Sequence, residues 1–319
     1  DISEQGNFGA ARIDSHEHDL NPIGYMVPNQ VLMTLLSQQV QQQGNLTVLA
    51  PASLQTLESD DDGYTIEINH NGQKEHYHAR FIIGSDGGNS KVRSLLGIGS
   101  EHKRYKQKAI VTNVRPQLKH NNIAYERFTA HGPLAILPIP ENYCALIWTQ
   151  PEDKAGYYLE VDDTTFLQEL QKAFGFRLGK FLEVGKRSAY PLSLSVSNKL
   201  ISERAVLIGN AAQAVHPVAA QGFNLGLRDV QTLAEMLRQD EFNLQSMSLL
   251  LEKYQALRMP DRKHVVRLTD GLTKLFAPQI WPMKFARSLG VRIIGSSPLA
   301  QRSLLQRNLG YRYLFGGSE

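Results

Sequence analysis

The stretch VLIGNAAQAVHPVAAQGFNLGLRDV, Val206 to Val230, joins consecutive apolar residues to a loop of small side chains and then to a helix start rich in Gln, Gly, Phe and Asn. Val206 to Ile208 read as a strand buried on both faces, and Gly209 ends it where backbone can approach a ligand closely. From about Gly222 the residues Phe223, Leu227, Val230, Leu233 and Leu237 recur at helical spacing. That leaves the backbone N–H groups of Gly222, Phe223, Asn224 and Leu225 pointing back toward the loop. A helix start stabilises negative charge, so the chemistry on offer is binding of a flat or anionic group against bare backbone. An ordinary strand-to-helix turn, with Gly for tight packing, has the same local pattern.

A second junction repeats the design. FIIGSDGGNSKVRSLLG, residues 81–97, is an apolar strand, a turn carrying Asp86, Gly87 and Gly88, and a short helix with Asn89 or Ser90 as N-cap and Gly97 past its end. Asp-Gly is a common turn pair, so Asp86 alone also reads as a turn residue. If the two strands share a sheet, the two junctions line opposite sides of one extended ligand. His216 lies in the first loop, where a histidine satisfied by backbone is the plainer reading, and no catalytic base is assigned. The pairs His16/His18 and His76/His78 have no Cys or carboxylate set at metal spacing and read as solvated surface, so no metal is expected. Tyr190-Pro191, after Lys186-Arg187, reads either as a border of the substrate site or as core.

These residues must be held by a larger frame. Pro28 opens a helical segment whose Val31, Leu32, Leu35, Leu36 and Val40 share a face, and Gly44 stops it. LTVLA, YTIEIN and EHYHARFII follow as strands, with Asn71-Gly72 as a hairpin turn. Residues 105–160 and 185–200 read mostly as strands of a mixed or antiparallel sheet, AYERFTA, LAILPI and CALIWTQ most clearly, with a short helix at 163–174. From about 222 onward the chain is mainly helical, with Pro260, Pro278, Pro282 and Pro298 as breaks or first-turn residues.

Composition bounds the function. The 319 residues are 42% hydrophobic and 20% charged with a net charge of +3, enough for a substantial core but weak in charge. Without a basic, aromatic-interleaved groove pattern, nucleic acid is excluded as a partner. The single cysteine, Cys144, rules out an intrachain disulfide and fits a reducing, cytoplasmic compartment, and in CALIW it reads as a small core residue. An apolar stripe of Leu268, Leu272, Leu275 and Phe276 meets the cations Lys274, Lys284, Arg287, Arg292, Arg302, Arg307 and Arg312. This suits an anionic membrane surface and hence a peripheral location on the inner membrane, or equally a helical cap with a solvated basic face.

The pair GSDGGNSKVR and LIGNAAQAVHPVAAQGFNLGLRD resembles the two downstream fingerprints of the group A, FAD-dependent aromatic hydroxylases, and within them the ubiquinone-biosynthesis hydroxylases. ERFTAHGPLAILPIPE, FGFRLGKF and KRSAYPL further resemble the 2-polyprenyl-6-methoxyphenol hydroxylases. The resemblance runs from roughly Gly24 to the C-terminus. The family's usual Gly-Asp-Ala-Ala-His is here Gly209, Asn210, Ala211, Ala212 and Gln213, so any carboxylate role at position 210 passes to an amide that can still bind a sugar hydroxyl or phosphate.

The resemblance implies an α/β (α+β) chain with the para-hydroxybenzoate-hydroxylase-like FAD/NAD(P)-binding fold. Residues 1–104 would be the remainder of the FAD-binding domain, 105–200 a mixed-sheet substrate domain, 201–240 the flavin-side motif and 241–319 a C-terminal helical region. It implies FAD as cofactor, NAD(P)H as electron donor and a polyprenylated methoxyphenol as substrate, handled at a membrane surface or in a lipid-handling biosynthetic complex. Asp86 and Arg93 would lie near the pyrophosphate or ribityl region, Pro217 near the flavin ring, and Gly222, Phe223, Asn224 and Leu225 against its pyrimidine end, with Gly87, Gly209 and Asn210 also binding the cofactor. The alternatives are a flavin-dependent isoprenoid reductase and a non-catalytic lipid-binding subunit of a quinone-biosynthesis assembly.

The family's Gly-x-Gly-x-x-Gly unit for the ADP half of FAD has no counterpart in these residues. DISEQGNFGAARI reads as the middle of a sheet-and-loop region. The expectation is an N-terminally truncated fold, inactive alone and without bound FAD, with a cleft or exposed sheet edge facing Asp86 and Gly209.

Overall fold

A computed structural model of the chain describes residues 1–6, 10–18, 22–239, 247–276 and 281–308. The elements run β1 (Ile2–Glu4), β2 (Ala10–Ala11), α1 (Asn29–Gln42), β3 (Ala52–Ser59), β4 (Tyr64–His70), β5 (Gln73–Ala79), β6 (Ile82–Gly84), α2 (Lys91–Leu95) and β7 (Ser100–Pro116). There follow β8 (Tyr125–Thr129), β9 (Gly132–Ile139), β10 (Tyr143–Pro151), α3 (Glu152–Glu160), α4 (Asp163–Phe174), β11 (Phe181–Val184) and β12 (Ser188–Ser197). The last are β13 (Ile201–Ser202), β14 (Ala205–Leu207), α5 (Gly209–Ala212), β15 (Gln213–Ala214), α6 (Gln221–Gln239), α7 (Met247–Phe276), α8 (Trp281–Ser296) and α9 (Pro298–Asn308). The described residues form two compact units, one drawn from 1–26, 104–192 and 270–308, the other from 27–103 and 193–269.

The first unit is built on a mixed sheet ordered β7-β10-β9-β8-β1-β2, with β11 also on β7. Its central pairs are antiparallel, and β1 joins β8 in parallel. Alternation fixes the buried face: Cys144, Leu146 and Trp148 of β10 are all buried and pack with Phe166, Leu170 and Phe174 of α4. Cys144 is therefore core, and burial pushes its thiol pKa up to about 11. Asp162 caps α4 by accepting from the Thr165 amide at 3.0 Å, and Gly175 ends it at φ +87°.

Pro260, read as a break or first-turn residue, lies inside α7, and two further segments differ from the sequence reading. Residues 152–160, taken with the strands, form α3, because Pro151 precedes a first turn carrying Glu152 and Asp153, which favours a helix start. LTVLA forms no strand: Leu46 and Val48 are exposed, and pairing with β4 starts at Ala52, since Pro51 has no N–H to give a ladder.

In the second unit, β4 and β5 close on Asn71 (φ +52°) and Gly72 (φ +84°), the left-handed pair that a two-residue hairpin needs. β14 is fully buried and sits between β13, antiparallel, and β6, parallel. Among the described residues β6 has no second neighbour, and Ile83 on it is 44% exposed. α1 forms as its spacing predicts, yet Val31, Leu35, Leu36 and Val40 all remain exposed.

In the C-terminal helices Lys274 pairs with Asp270 at 2.7 Å. The side chains of Leu275, Phe276, Lys284, Arg287 and Arg307, and all of Arg312, lie outside the described residues. Among the described residues no helix is long and apolar enough to cross a membrane.

Candidate functional site: two strand–glycine–helix junctions

The two junctions belong to adjacent parallel strands. Ala205, Val206 and Leu207 of β14 pair with Ile82, Ile83 and Gly84 of β6, so both strands deliver their carboxyl ends, and the glycine turns that follow, to one edge of the sheet. Ligands of open α/β sheets bind at such carboxyl ends. Gly84 allows the packing behind it: a Cβ there would stand 2.7 Å from Leu207 Cδ2 and 2.9 Å from Val92 Cγ1.

Arg93 locks the junctions together. Its buried guanidinium donates from Nη1 to the Ala211 carbonyl at 2.8 Å and from Nη2 to the Gly88 carbonyl at 2.9 Å. These donors serve protein backbone, so Arg93 positions the two turns against each other. Asp86 likewise turns inward: its carboxylate accepts from the Ser90 hydroxyl and from the amides of Lys91 (2.7 Å) and Val92 (3.0 Å), capping α2. Partial burial pushes its pKa up, but these hydrogen bonds outweigh that and hold the carboxyl below its usual range.

What the junctions leave open is backbone. Gly87 (φ +89°) and Gly209 (φ +56°) adopt conformations that favour glycine, and nothing lies within 4 Å of where a Cβ would stand at either. Asn210, in the single turn of α5, and Pro217, in the loop before α6, are exposed. α6 begins at Gln221, one residue earlier than the spacing predicts. A 3-10 turn, Val218–Ala220, leads into it, with the Ala220 amide donating to the Pro217 carbonyl at 2.9 Å, and the earlier start commits the amides of Asn224 and Leu225 to the helix ladder, leaving those of Gly222 and Phe223 in the first turn. Leu225 contributes a buried side chain instead, whereas Gly222 is partly exposed and Phe223 and Asn224 are exposed.

His216 is buried, and its Nδ1 accepts from the Val218 amide at 3.1 Å. Burial holds its pKa down to about 4, so it is a neutral imidazole engaged with backbone. Tyr190 is 58% exposed and not part of the core. His76 and His78 lie on exposed β5 opposite Glu67 and Asp60.

The sequence reading missed the polar network beneath the second junction. The apolar residues Phe223, Leu227 and Val230 of α6 face outward, and its buried face carries Leu225, Arg228, Asp229 and Leu233. Asp229 Oδ2 accepts from the Gly209 amide at 3.0 Å and from Gln213 Nε2 at 2.7 Å, while Oδ1 accepts from Arg258 Nε at 2.8 Å. Asp261 Oδ2 receives Arg258 Nη2 and Arg228 Nε, each at 2.8 Å. The signal was present in adjacent Arg228-Asp229 and in the one-turn spacing of Arg258, Asp261 and Arg262 on a helix with buried neighbours.

The arrangement can hold an extended, flat, anionic molecule: bare backbone at Gly87 and Gly209, a helix start for negative charge, and turns fixed from behind by Arg93 and Asp229. Comparison with known proteins agrees. The FAD binding domain family matches residues 3–269. The chain is 38% identical over 295 residues to ubiquinone hydroxylase UbiL of Rhodospirillum rubrum, covering 91% of this chain and 67% of that protein. It is 30% identical to the 3-demethoxyubiquinol 3-hydroxylase of Escherichia coli, covering 93% of this chain and 75% of that one.

Among solved structures, p-nitrophenol 4-monooxygenase PnpA from Pseudomonas putida superposes with a TM-score of 0.72 at 15% identity, over 90% of this chain and 73% of that one. OxyS anhydrotetracycline hydroxylase from Streptomyces rimosus gives 0.67 at 23% identity, over 92% of this chain and 59% of that one, and these two likenesses speak to fold alone. The chain belongs to the FAD-binding domain family, as an FAD-dependent hydroxylase related to those of ubiquinone biosynthesis.

Proposed function

We propose that this chain serves an FAD-dependent monooxygenase that hydroxylates the ring of a polyprenylated phenol in ubiquinone biosynthesis, with NAD(P)H and dioxygen as co-substrates. The observation that carries the reading is the double junction, in which Arg93 holds Gly88 and Ala211 so that the open backbones of Gly87 and Gly209 lie on one sheet edge. FAD, when bound and reduced by NAD(P)H, would activate dioxygen, one atom of which passes to the ring and the other to water. The protein's residues bind and orient it: Gly87 and Gly209 admit close approach, Asn210 offers an amide to a hydroxyl or phosphate, and the α6 start stabilises negative charge near Pro217 and Gly222. Few protonatable side chains stand by the loop, and His216 is neutral and backbone-bound, which limits proton delivery there.

The relatives' names point to the substrate, one being a ubiquinone hydroxylase and the other a 3-demethoxyubiquinol 3-hydroxylase. Peripheral attachment to an anionic membrane, or to a lipid-handling complex, would bring such a substrate within reach. The test is turnover of a short-chain prenylated methoxyphenol with NAD(P)H under ¹⁸O-labelled dioxygen by the FAD-loaded protein that carries this chain. One labelled oxygen atom in the product is expected. A product with a saturated prenyl chain and no label would instead indicate an isoprenoid reductase, and failure to take up FAD a lipid-binding subunit.

A further inference from the structure

Glu126 sits on β8 between two residues that face α4. The Tyr125 ring packs into the core beside Phe174, and Arg127 Nε donates to the Ala173 carbonyl at 3.0 Å, so Glu126 projects from the opposite face of the sheet. The register gives its neighbours there: Ala135 of β9 lies beside Glu126, Ile147 of β10 beside Ala135, and Val111 of β7 beside Ile147. All four are half-buried, whereas Leu134, Ile136, Leu146 and Trp148 on the α4 face are buried. This second face is an apolar row, partly open to solvent, with a carboxyl at one end.

Among the described residues the Glu126 carboxyl accepts no hydrogen bond and forms no ion pair, and neither of its oxygens is sealed from solvent. Burial raises its pKa to about 7, against a smaller opposing pull from the Asp1 amine, which donates to the Ala124 carbonyl at 2.7 Å. On β1, Ile2 and Glu4 share its face, and Glu4 accepts from the Ser288 hydroxyl at 3.3 Å. On β9 that face carries Pro133, Ala135 and Leu137, none of which titrates.

We propose that the row from Glu126 to Val111 is a face on which the ring of the phenolic substrate lies, with the Glu126 carboxylate accepting from its hydroxyl. This assignment rests on the hydroxylase reading and gives it a residue that selects for a free ring hydroxyl. An O–H···O⁻ bond is charge-assisted, whereas an ether in the same place would leave a half-buried carboxylate against a second acceptor. Discrimination of this kind is strong because the wrong ligand leaves a polar group unpaired. Ala135, Ile147 and Val111 have no polar side-chain atom to compete for the hydroxyl.

The test is equilibrium dialysis of a short-chain prenylated methoxyphenol, and of its methyl ether, against the FAD-loaded protein that carries this chain, at pH 6 and pH 8 without NAD(P)H. The phenol should bind the parent about tenfold more tightly at pH 8, where the carboxyl is ionised, than at pH 6. Glu126→Gln should bind it equally at both, about tenfold more weakly than the parent at pH 8, with unchanged circular dichroism. The ether should gain nothing with pH in either protein. Ala135→Leu, which raises the floor beside Glu126, should weaken the phenol at both pH values and keep the pH step. A step that persists in Glu126→Gln or is shared by the ether, or parent-like binding in Ala135→Leu, overturns the assignment even if the parent delivers labelled oxygen. The expected pattern without labelled product would uphold the assignment and sink the hydroxylase reading, and a parent that binds no phenol overturns both.

Discussion

Arg93 and Ala211 are 118 positions apart in sequence, yet the Arg93 guanidinium donates to the Ala211 carbonyl at 2.8 Å while its other arm holds Gly88. One side chain thereby fixes the spacing of two glycine turns. Replacing it with Met removes two charge-assisted hydrogen bonds and leaves two carbonyls unpaired, a cost of about 2–4 kcal/mol. Arg93→Lys recovers little, because a single ammonium lacks the fork that spans both carbonyls. Urea unfolding and FAD titration of both variants check this, with weaker FAD binding expected in each.

Asp229 is the second support. It receives the Gly209 amide, Gln213 and Arg258, so Asp229→Leu leaves Arg258 with one carboxylate partner, Asp261, and the Gly209 amide without an acceptor. Loss of about 3–5 kcal/mol is expected in denaturant unfolding. The double variant with Arg258→Met should lose less than the sum of the two single changes, since removing both charges relieves the uncompensated one.

Stability should also depend on pH through His216. Its folded pKa is down at about 4 against an ordinary 6.5, so the unfolded chain takes up a proton first as pH falls. The stabilisation is complete above pH 6.5, declines between 6.5 and 4 by about 3 kcal/mol, and is flat below. His216→Gln, which keeps an acceptor for the Val218 amide, should flatten that window in urea midpoints measured across pH. An unchanged slope would show that other groups set it.

Asn210 is exposed, so changing it should leave the fold within about 0.5 kcal/mol of the parent. Asn210→Asp should retain FAD, the carboxylate being the more usual residue in the family. Asn210→Leu should weaken FAD by about 1–3 kcal/mol through a lost hydrogen bond. Equal FAD affinity in Asn210→Leu and the parent would take Asn210 out of the site.

What could be read from the sequence was local. The Asn71-Gly72 hairpin, the helix at 163–174 and the two glycine turns each announce themselves within a few residues, through turn chemistry or periodicity. The buried face of α6 was not legible, because Phe223, Leu227 and Val230 mark a helix without saying which face packs, and the polar residues opposite them find partners 29 and 33 positions away. Asp86 and Arg93 stand out in the sequence beside the glycines of a strand-to-helix turn, but their side chains bond to the protein's own backbone, which only the tertiary placement of α2 and α5 reveals.

The central claim is that FAD lies against the backbone of these junctions, and Gly222 tests it most directly. A Cβ at Gly222 would stand 3.6 Å from Val215 Cγ2, ordinary contact distance, so Gly222→Val should fold as the parent does. Its branched side chain would nonetheless occupy the space in front of the α6 start. FAD titration, followed by flavin fluorescence in the protein that carries this chain and in its Gly222→Val variant, should show at least tenfold weaker binding in the variant with unchanged circular dichroism. Equal affinity in the two would contradict the placement of the flavin at this helix.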